Sequence, residues 1–163
     1  MSGDRRDLSG SGEGRARHGR VSSLGPNGLV FHTDPAARGT FALIEWDMAA
    51  PPAPGPPPHR HLDADEACYV LAGRLLIEVH GERRTLVTGD FLLVPKGEWH
   101  GLENPGPERA RFLVVLSPAG FEGYWAETAE RLAARGGPLD PLEVAELQAR
   151  YQMDTAGAVR RYE

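Results

Sequence analysis

The chain has 163 residues, of which 40% are hydrophobic and 25% are charged, as in an ordinary globular domain. Its formal net charge of -5 argues against nucleic-acid binding, because neutralising phosphates requires a basic surface. The single cysteine, Cys68, cannot form an intrachain disulfide, and we find neither a membrane-spanning apolar run nor a secretory signal. We therefore expect a cytoplasmic protein without nucleic-acid or membrane partners.

The N-terminal part of the chain differs in amino-acid composition from the rest. Residues 1–27 are rich in Gly, Ser and Arg with few apolar residues, which predicts a disordered and dispensable tail. Residues 40–48 alternate between two faces and predict a strand, with Ala42, Ile44, Trp46 and Met48 on one side. The proline-rich residues 51–58 predict an extended, stiff approach to His59.

A series of short apolar segments follows, separated by glycine-rich or Asn-Pro-Gly turns. The strand-like segments are 67–71, 74–80, 84–87, 90–94, 99–103 and 110–117. Gly73, Gly89 and Gly97 are expected to serve turns that need a positive φ. Many short strands with regular turns predict an antiparallel sandwich or barrel over residues 28–118.

The segment after the strands is predicted to be helical. Residues 121–135 place Phe121, Trp125, Ala129 and Leu132 near one stripe, and Gly136 ends the pattern. Asp140 is a plausible N-cap for a second helix that begins at Pro141 and reaches about Tyr151. We therefore expect a C-terminal helical extension over residues 119–163.

Four potential metal ligands lie in two segments of this pattern. His59 and His61 share one face of an extended chain, Glu66 follows five residues on, and His100 begins a later strand. Three imidazoles and one carboxylate partly fill the shell of an octahedral transition metal and leave positions open. Glu66 is also a candidate general base.

These residues fall in a pattern that resembles the two motifs of the cupin family. The first motif, G-x5-H-x-H-x3,4-E-x6-G, matches at His59, His61, Glu66 and Gly73. The second, G-x5-P-x-G-x2-H-x3-N, matches at Gly89, Pro95, Gly97, His100 and Asn104. One position departs, since Ala53 stands where the first glycine is expected and the nearest glycine is Gly55.

The resemblance implies an all-β, antiparallel cupin-type barrel (jelly roll) with appended C-terminal α-helices. It also implies one divalent transition metal per chain (iron, nickel, manganese, cobalt or zinc), held by His59, His61, Glu66 and His100. Within the family, the runs PPPHRH and DEACYVLAGR resemble quercetin-dioxygenase-like bacterial cupins. A homodimer is expected too, since Phe121 and Trp125 offer apolar surface that a small barrel does not cover by itself.

The function predicted from this resemblance is a metal-dependent dioxygenase acting on a small aromatic or enolic substrate, with Glu66 taking the substrate's proton. Two alternatives stay open: a small-molecule-binding cupin without catalysis, and a metal-dependent isomerase or cyclase of a biosynthetic pathway. Oxygen consumption separates the first function from the other two.

Other polar residues are given ordinary structural roles. Cys68 is expected to be a small interior residue, His80 to lie outside, and Asp65 to face away from Glu66. His32 is assigned a structural role and His18 lies in the tail. Asn104 is expected to bond backbone groups at a turn.

Overall fold

The computed structural model describes residues 19–36, 39–51 and 55–155. Within these ranges the chain forms eleven strands and two helices, in the following order: β1 Arg20–Leu24, β2 Asn27–Phe31, β3 Ala42–Met48, β4 Arg60–His61, β5 Asp65–Ala72, β6 Arg74–Val79, β7 Glu82–Val87, β8 Phe91–Val94, β9 His100–Glu103, β10 Ala110–Ser117, α1 Glu122–Arg135, α2 Pro141–Arg150 and β11 Met153–Asp154.

The strands form a two-sheet antiparallel sandwich closed by a short strand pair. Six strands make the larger sheet in the order β1-β2-β3-β10-β5-β8, and three make the second in the order β7-β6-β9. The remaining pair is β4 with β11. Every pairing is antiparallel. The predicted jelly-roll barrel with C-terminal helices is confirmed.

Strand alternation places the core inside this sandwich. In β3 the side chains of Ala42, Ile44, Trp46 and Met48 are buried, while the residues between them are only partly covered. Strand β10 shows the same alternation and pairs with β3 along its length. Each fully buried large apolar side chain contributes about 1.5–3 kcal/mol of transfer free energy.

Turn glycines fix where the strands end. Gly73 has a φ of 77°, and a Cβ at this position would lie 2.6 Å from the carbonyl oxygen of Arg109. Gly89 and Gly97 have φ values of 94° and 82°. The positive φ predicted for these three glycines is therefore confirmed, and at Gly73 a close backbone approach adds a second reason for the missing side chain.

The two predicted helices are present with nearly the predicted bounds. Helix α1 ends where Gly136 adopts the left-handed conformation and donates its N–H to the carbonyl of Leu132. Helix α2 begins with a capping box between Asp140 and Glu143, followed by Pro141. Neither of these described helices is long and apolar enough to cross a membrane.

The expected disordered tail over residues 1–27 is wrong for its last part. Residues 1–18 lie outside the described residues, but β1 pairs with β2 from Arg20–Phe31 to Leu24–Asn27. Helix α1 also packs against β1. The strand has few apolar side chains, so its order comes from the backbone ladder and from α1, which composition does not reveal.

The C-terminal extension holds one element that sequence periodicity missed. Strand β11 turns back to the barrel after α2 and pairs with β4, joining Met153 to His61 and Asp154 to Arg60. The side chains of Arg60 and Asp154 also form an ion pair at 2.6 Å. The extension is thus tied to the strand that carries a candidate ligand.

Candidate metal centre

Three strands bring the four predicted ligands together inside the barrel. His59 precedes β4 and forms an antiparallel bridge with His100, the first residue of β9. In this bridge each backbone N–H donates to the other residue's carbonyl at 2.8 Å. His61 ends β4 and Glu66 is the second residue of β5. His59 and His61 share a face because the chain is extended there, as the i, i+2 spacing predicts.

The donor atoms of the four side chains converge on one buried point. One ligand atom from each residue lies within 4.8 Å of all the others, and all four residues are buried. Glu66 Oε2 lies 2.8 Å from His61 Nε2 and 3.6 Å from His100 Nε2. The structure therefore brings His59, His61, Glu66 and His100 into one cluster whose size suits a single metal ion.

Backbone carbonyls orient two of these imidazoles. His59 Nδ1 donates to the carbonyl of Pro57 at 2.7 Å, and His100 Nδ1 donates to the carbonyl of Glu98 at 2.9 Å. With the proton on Nδ1, the Nε2 atom of each ring carries a free lone pair that faces the cluster. Neither Nε2 has a hydrogen-bond partner in the described part of the chain. A carbonyl behind a ligating histidine is the usual support of a metal ligand.

The charges in the cluster also suit a cation. Burial, reinforced by the neighbouring His100 and His61, lowers the pKa of His59 to about 3, so this ring is neutral at pH 7. Burial by itself would raise the pKa of Glu66, but contacts with His100 and His61 hold it well below its usual range. The cluster thus keeps a buried carboxylate ionised, and such a charge is stable only beside a positive partner.

These observations fit a divalent transition metal. The donor set contains three imidazole nitrogens and one carboxylate, which several first-row metals accept. Leaving such buried acceptor atoms without a partner costs about 1–3 kcal/mol each, so a bound cation would stabilise the arrangement. The cluster could hold one metal ion and leave coordination positions open.

The remaining candidates lie where the sequence placed them. Cys68 is buried with its Sγ atom 3.6 Å from Glu66 Oε1, and burial raises the pKa of its thiol. Asp65 faces outward and accepts from the backbone N–H of Lys96. His80 is exposed and pairs with Glu98 at 2.6 Å.

Asn104 has the role predicted for it from the sequence. Asn104 bonds backbone groups on both sides of its turn, which confirms its predicted role. His32 lies at the surface near Glu45, and His18 lies outside the described residues.

Sequence reasoning missed the surroundings of the ligands. Phe121 packs on the ring of His61 with the centroids 4.0 Å apart. The helical stripe predicts that Phe121 is buried but does not say against what. Nor does any local signal show that Pro57 and Glu98 lend their carbonyls to His59 and His100.

Comparison with known proteins finds similarity over the part of the chain that holds the cluster. Residues 46–116 match the family described as "Cupin domain" (Cupin_2), a range that contains all four clustered residues. The pectin degradation protein KdgF of Dickeya dadantii is 36% identical over 66 residues, 34% of this chain and 60% of that protein. The tetracenomycin polyketide synthase protein TcmJ of Streptomyces glaucescens is 35% identical over 60 residues, 37% of this chain and 40% of that protein.

A solved structure shares the fold. The polyketide cyclase RemF of Streptomyces resistomycificus superposes with a TM-score of 0.54 at 23% identity, covering 63% of this chain and 78% of that chain. The matches to the two curated relatives span only 60% and 40% of their lengths. The similarity therefore extends over part of each relative and not over its whole length.

Proposed function

We propose that the protein, whose residues 46–116 match the family described as "Cupin domain", is a metal-dependent enzyme acting on a small enolisable carbonyl compound. One divalent transition metal would be held by His59, His61, Glu66 and His100. The observation that carries this proposal is the buried convergence of free imidazole nitrogens on an ionised carboxylate. When bound, the metal supplies Lewis-acid polarisation of an oxygen and a common template for the reacting groups.

Glu66 is the residue that moves the proton in this proposal. Its two oxygens have different neighbours: Oε2 faces His61 and His100, whereas Oε1 accepts a weak hydrogen bond from the thiol of Cys68. An ionised carboxylate in this position can take the proton from a carbon beside a carbonyl, leaving the enolate. Returning that proton to a different carbon isomerises the substrate, and attack of the enolate carbon on a second carbonyl closes a ring.

The curated relatives favour non-oxidative chemistry over dioxygenation. Over part of its length the chain resembles a pectin degradation protein and a polyketide synthase protein. Polyketide chains carry repeated ketone and enol groups, and Glu66 can take a proton from the carbon beside such a ketone. We therefore favour an isomerase or cyclase over the quercetinase-like dioxygenase predicted from sequence. We also favour it over a small-molecule-binding cupin without catalysis.

Dioxygenation is the second candidate, because a metal held by three histidines and one carboxylate would leave positions where dioxygen and an enolate can both bind.

The deciding experiment follows a panel of α-hydroxy ketones, 1,3-diketones and flavonols in D2O with protein loaded with zinc, nickel, manganese, cobalt or iron. Hydrogen–deuterium exchange at the enolisable carbon is measured by NMR and compared with the rate without protein. Oxygen consumption is measured in parallel with an oxygen electrode.

We expect exchange or rearrangement without oxygen uptake. Glu66→Gln should lower the rate about 10²–10⁴-fold while the metal is retained, since an amide cannot accept the proton. Glu103→Gln, an exposed carboxylate change, is the control. Oxygen uptake with a metal–substrate pair would establish the dioxygenase instead. Tight binding of a compound that stays unchanged, without deuterium exchange or oxygen uptake, would instead favour a small-molecule-binding protein without catalysis.

We also propose a homodimer, formed by a surface other than the one predicted from sequence. Phe121 and Trp125 are buried, so they offer no outer surface. Tyr69, Phe91 and Leu93 are instead 42%, 61% and 52% exposed, and they lie on neighbouring strands β5 and β8. Strand β8 is the edge of the larger sheet. An apolar patch at an antiparallel sheet edge suits a second copy of the chain.

A further inference from the structure

A cavity of about 290 Å³ lies between the barrel and α1 and reaches His59. Its walls are mainly aromatic and aliphatic: Trp46, Tyr124, Trp125, Leu132 and Met153 line it together with His59. None of the lining residues that the structure describes is Lys, Arg, Asp or Glu. A charged ligand would lose its hydration here without gaining an opposite charge, so the cavity suits an uncharged apolar compound.

Most of this wall lies outside the matched cupin range. Tyr124, Trp125 and Leu132 belong to α1, Met153 belongs to β11, and Leu24 belongs to β1. Within residues 46–116, only Trp46, His59 and residues 55–57 line the cavity. The similarity to the curated relatives therefore cannot identify the ligand, and its chemical class has to be inferred from the wall itself.

Trp46 adds a directional feature to this apolar wall. Its ring is held between Phe112, stacked with the centroids 6.1 Å apart, and Trp125, edge-on at 5.3 Å. The buried indole Nε1 has no hydrogen-bond partner in the described residues. A buried donor left unsatisfied costs about 1–3 kcal/mol, and phenylalanine could pack there without that cost. An oxygen of a bound ligand would satisfy it.

We propose that this cavity is the substrate site, that it takes a flat, uncharged aromatic or polyenolic compound with a carbonyl or phenol oxygen, and that the indole N–H of Trp46 donates to that oxygen. This deepens the proposed function and rests on it for the role of the metal, because the ligand's reacting end must lie at His59. Trp46 is then a specificity-determining residue that orients the compound, and α1 supplies the other face of the slot.

The test measures binding rather than turnover. The probe is 1,8-dihydroxyanthraquinone, a flat tricycle with carbonyl and phenol oxygens. Anthracene has the same shape without oxygen, and galacturonate is a charged sugar acid. Dissociation constants are measured with zinc-loaded and with chelator-stripped full-length protein. We expect the anthraquinone to bind both forms and galacturonate to bind neither in the cavity.

Trp46→Phe removes the donor and keeps an aromatic ring. We expect it to weaken anthraquinone binding about three- to tenfold in both forms, the loss of one neutral hydrogen bond, and to leave anthracene binding unchanged. Trp99→Phe is the matched control, since Trp99 packs on Arg60 and does not line the cavity. Thr128→Phe places a ring in the cavity and should abolish binding of both tricycles while zinc content and Tm are kept.

The outcomes separate this proposal from the proposed function. If anthraquinone binding requires zinc and is unchanged by Trp46→Phe and by Thr128→Phe, the cavity is not the substrate site. The proposed metal centre would be unaffected by that result. Equal losses for anthracene and anthraquinone in Trp46→Phe would overturn the hydrogen bond. A Thr128→Phe protein that turns monomeric yet binds the probe normally would make this face an interface between copies. If the protein does not bind zinc but still binds the anthraquinone in a way that depends on Trp46, the proposed metal chemistry is rejected. The proposed ligand cavity would be retained.

Discussion

His100 links the two halves of the metal centre. Its backbone bridges to His59, its Nδ1 donates to Glu98, and its Nε2 faces Glu66. Burial lowers the pKa of His100, but the contact with the ionised Glu66 outweighs burial and raises it. A metal dication held at the centre would make a favourable contact with the same carboxylate.

His100→Ala should therefore empty the centre. We expect metal affinity to fall by at least about 100-fold, since losing even an outer partner of a ligand costs 10–100-fold. Elemental analysis of protein purified without added metal is the measurement. His32→Ala is the control, because His32 is exposed, lies near Glu45 and does not belong to the cluster. Wild-type metal content in the His100→Ala protein would reject the ligand assignment.

At single positions, the sequence predicts ligands better than it predicts their supports. Strand parity placed His59 and His61 on one face, and motif spacing added Glu66 and His100. The departure at Ala53 is resolved by Gly55, where a Cβ would lie 2.1 Å from the carbonyl oxygen of Leu102. Supports such as the Phe121 ring depend on contacts between distant segments, which no local periodicity encodes.

Among the elements, the β5–β6 turn gives a clean test of backbone geometry. Gly73 and Gly81 share a positive φ, 77° and 79°, but only Gly73 approaches another backbone closely. Both alanine substitutions carry strain of about 1–3 kcal/mol. Gly73→Ala should cost at least about 1 kcal/mol more, because its Cβ meets Arg109.

Thermal unfolding measures the difference between these two variants. For a chain of this size, 1 kcal/mol lowers Tm by about 2–4 °C. Gly81→Ala is the matched control, since nothing lies within 4 Å of its added Cβ. Equal Tm values for the two variants would mean that the chain at Gly73 relaxes away from Arg109.

Elements with their own signal were predicted, and elements stabilised by a partner were not. Alternation revealed β3, and the capping residues Asp140 and Pro141 revealed α2. Strands β1 and β11 carry neither signal and are ordered by pairing with β2 and β4. Pairing energy lies in the backbone, which is the same for every sequence, so composition could not show it.

Removing residues 1–27 should consequently destabilise the protein, contrary to the expectation from composition. The deletion removes β1, which pairs with β2 and packs against α1. We expect a lower Tm and weaker probe binding, because residues 24–27 also line the cavity. Removing residues 1–18 leaves β1 intact and serves as the control. An unchanged Tm after the longer deletion would show that β1 adds nothing to stability.

For the whole molecule, the homodimer through β5 and β8 can be tested by light scattering. We expect a mass of about twice 17.7 kDa at micromolar concentration. Phe91→Arg should yield the monomer, because it buries a charge at the proposed contact. Phe41→Arg is the control, an equally apolar side chain, 51% exposed and outside that patch. A wild-type monomer, or a dimer indifferent to Phe91→Arg, would reject this interface.

The pairing of β11 with β4 sets an order of events during synthesis. Asp154 follows Arg60 by 94 positions, so the ligand strand emerges from the ribosome roughly 5–20 s before its partner does. His100 is made within that interval, so all four clustered side chains exist before β11 does, while β4 still lacks one of its neighbours. In the proposed metal centre, a cation that reached the four side chains before β11 paired would be enclosed by that pairing. We then expect the metal content of purified protein to depend on metal supply during synthesis as well as on the affinity of the site.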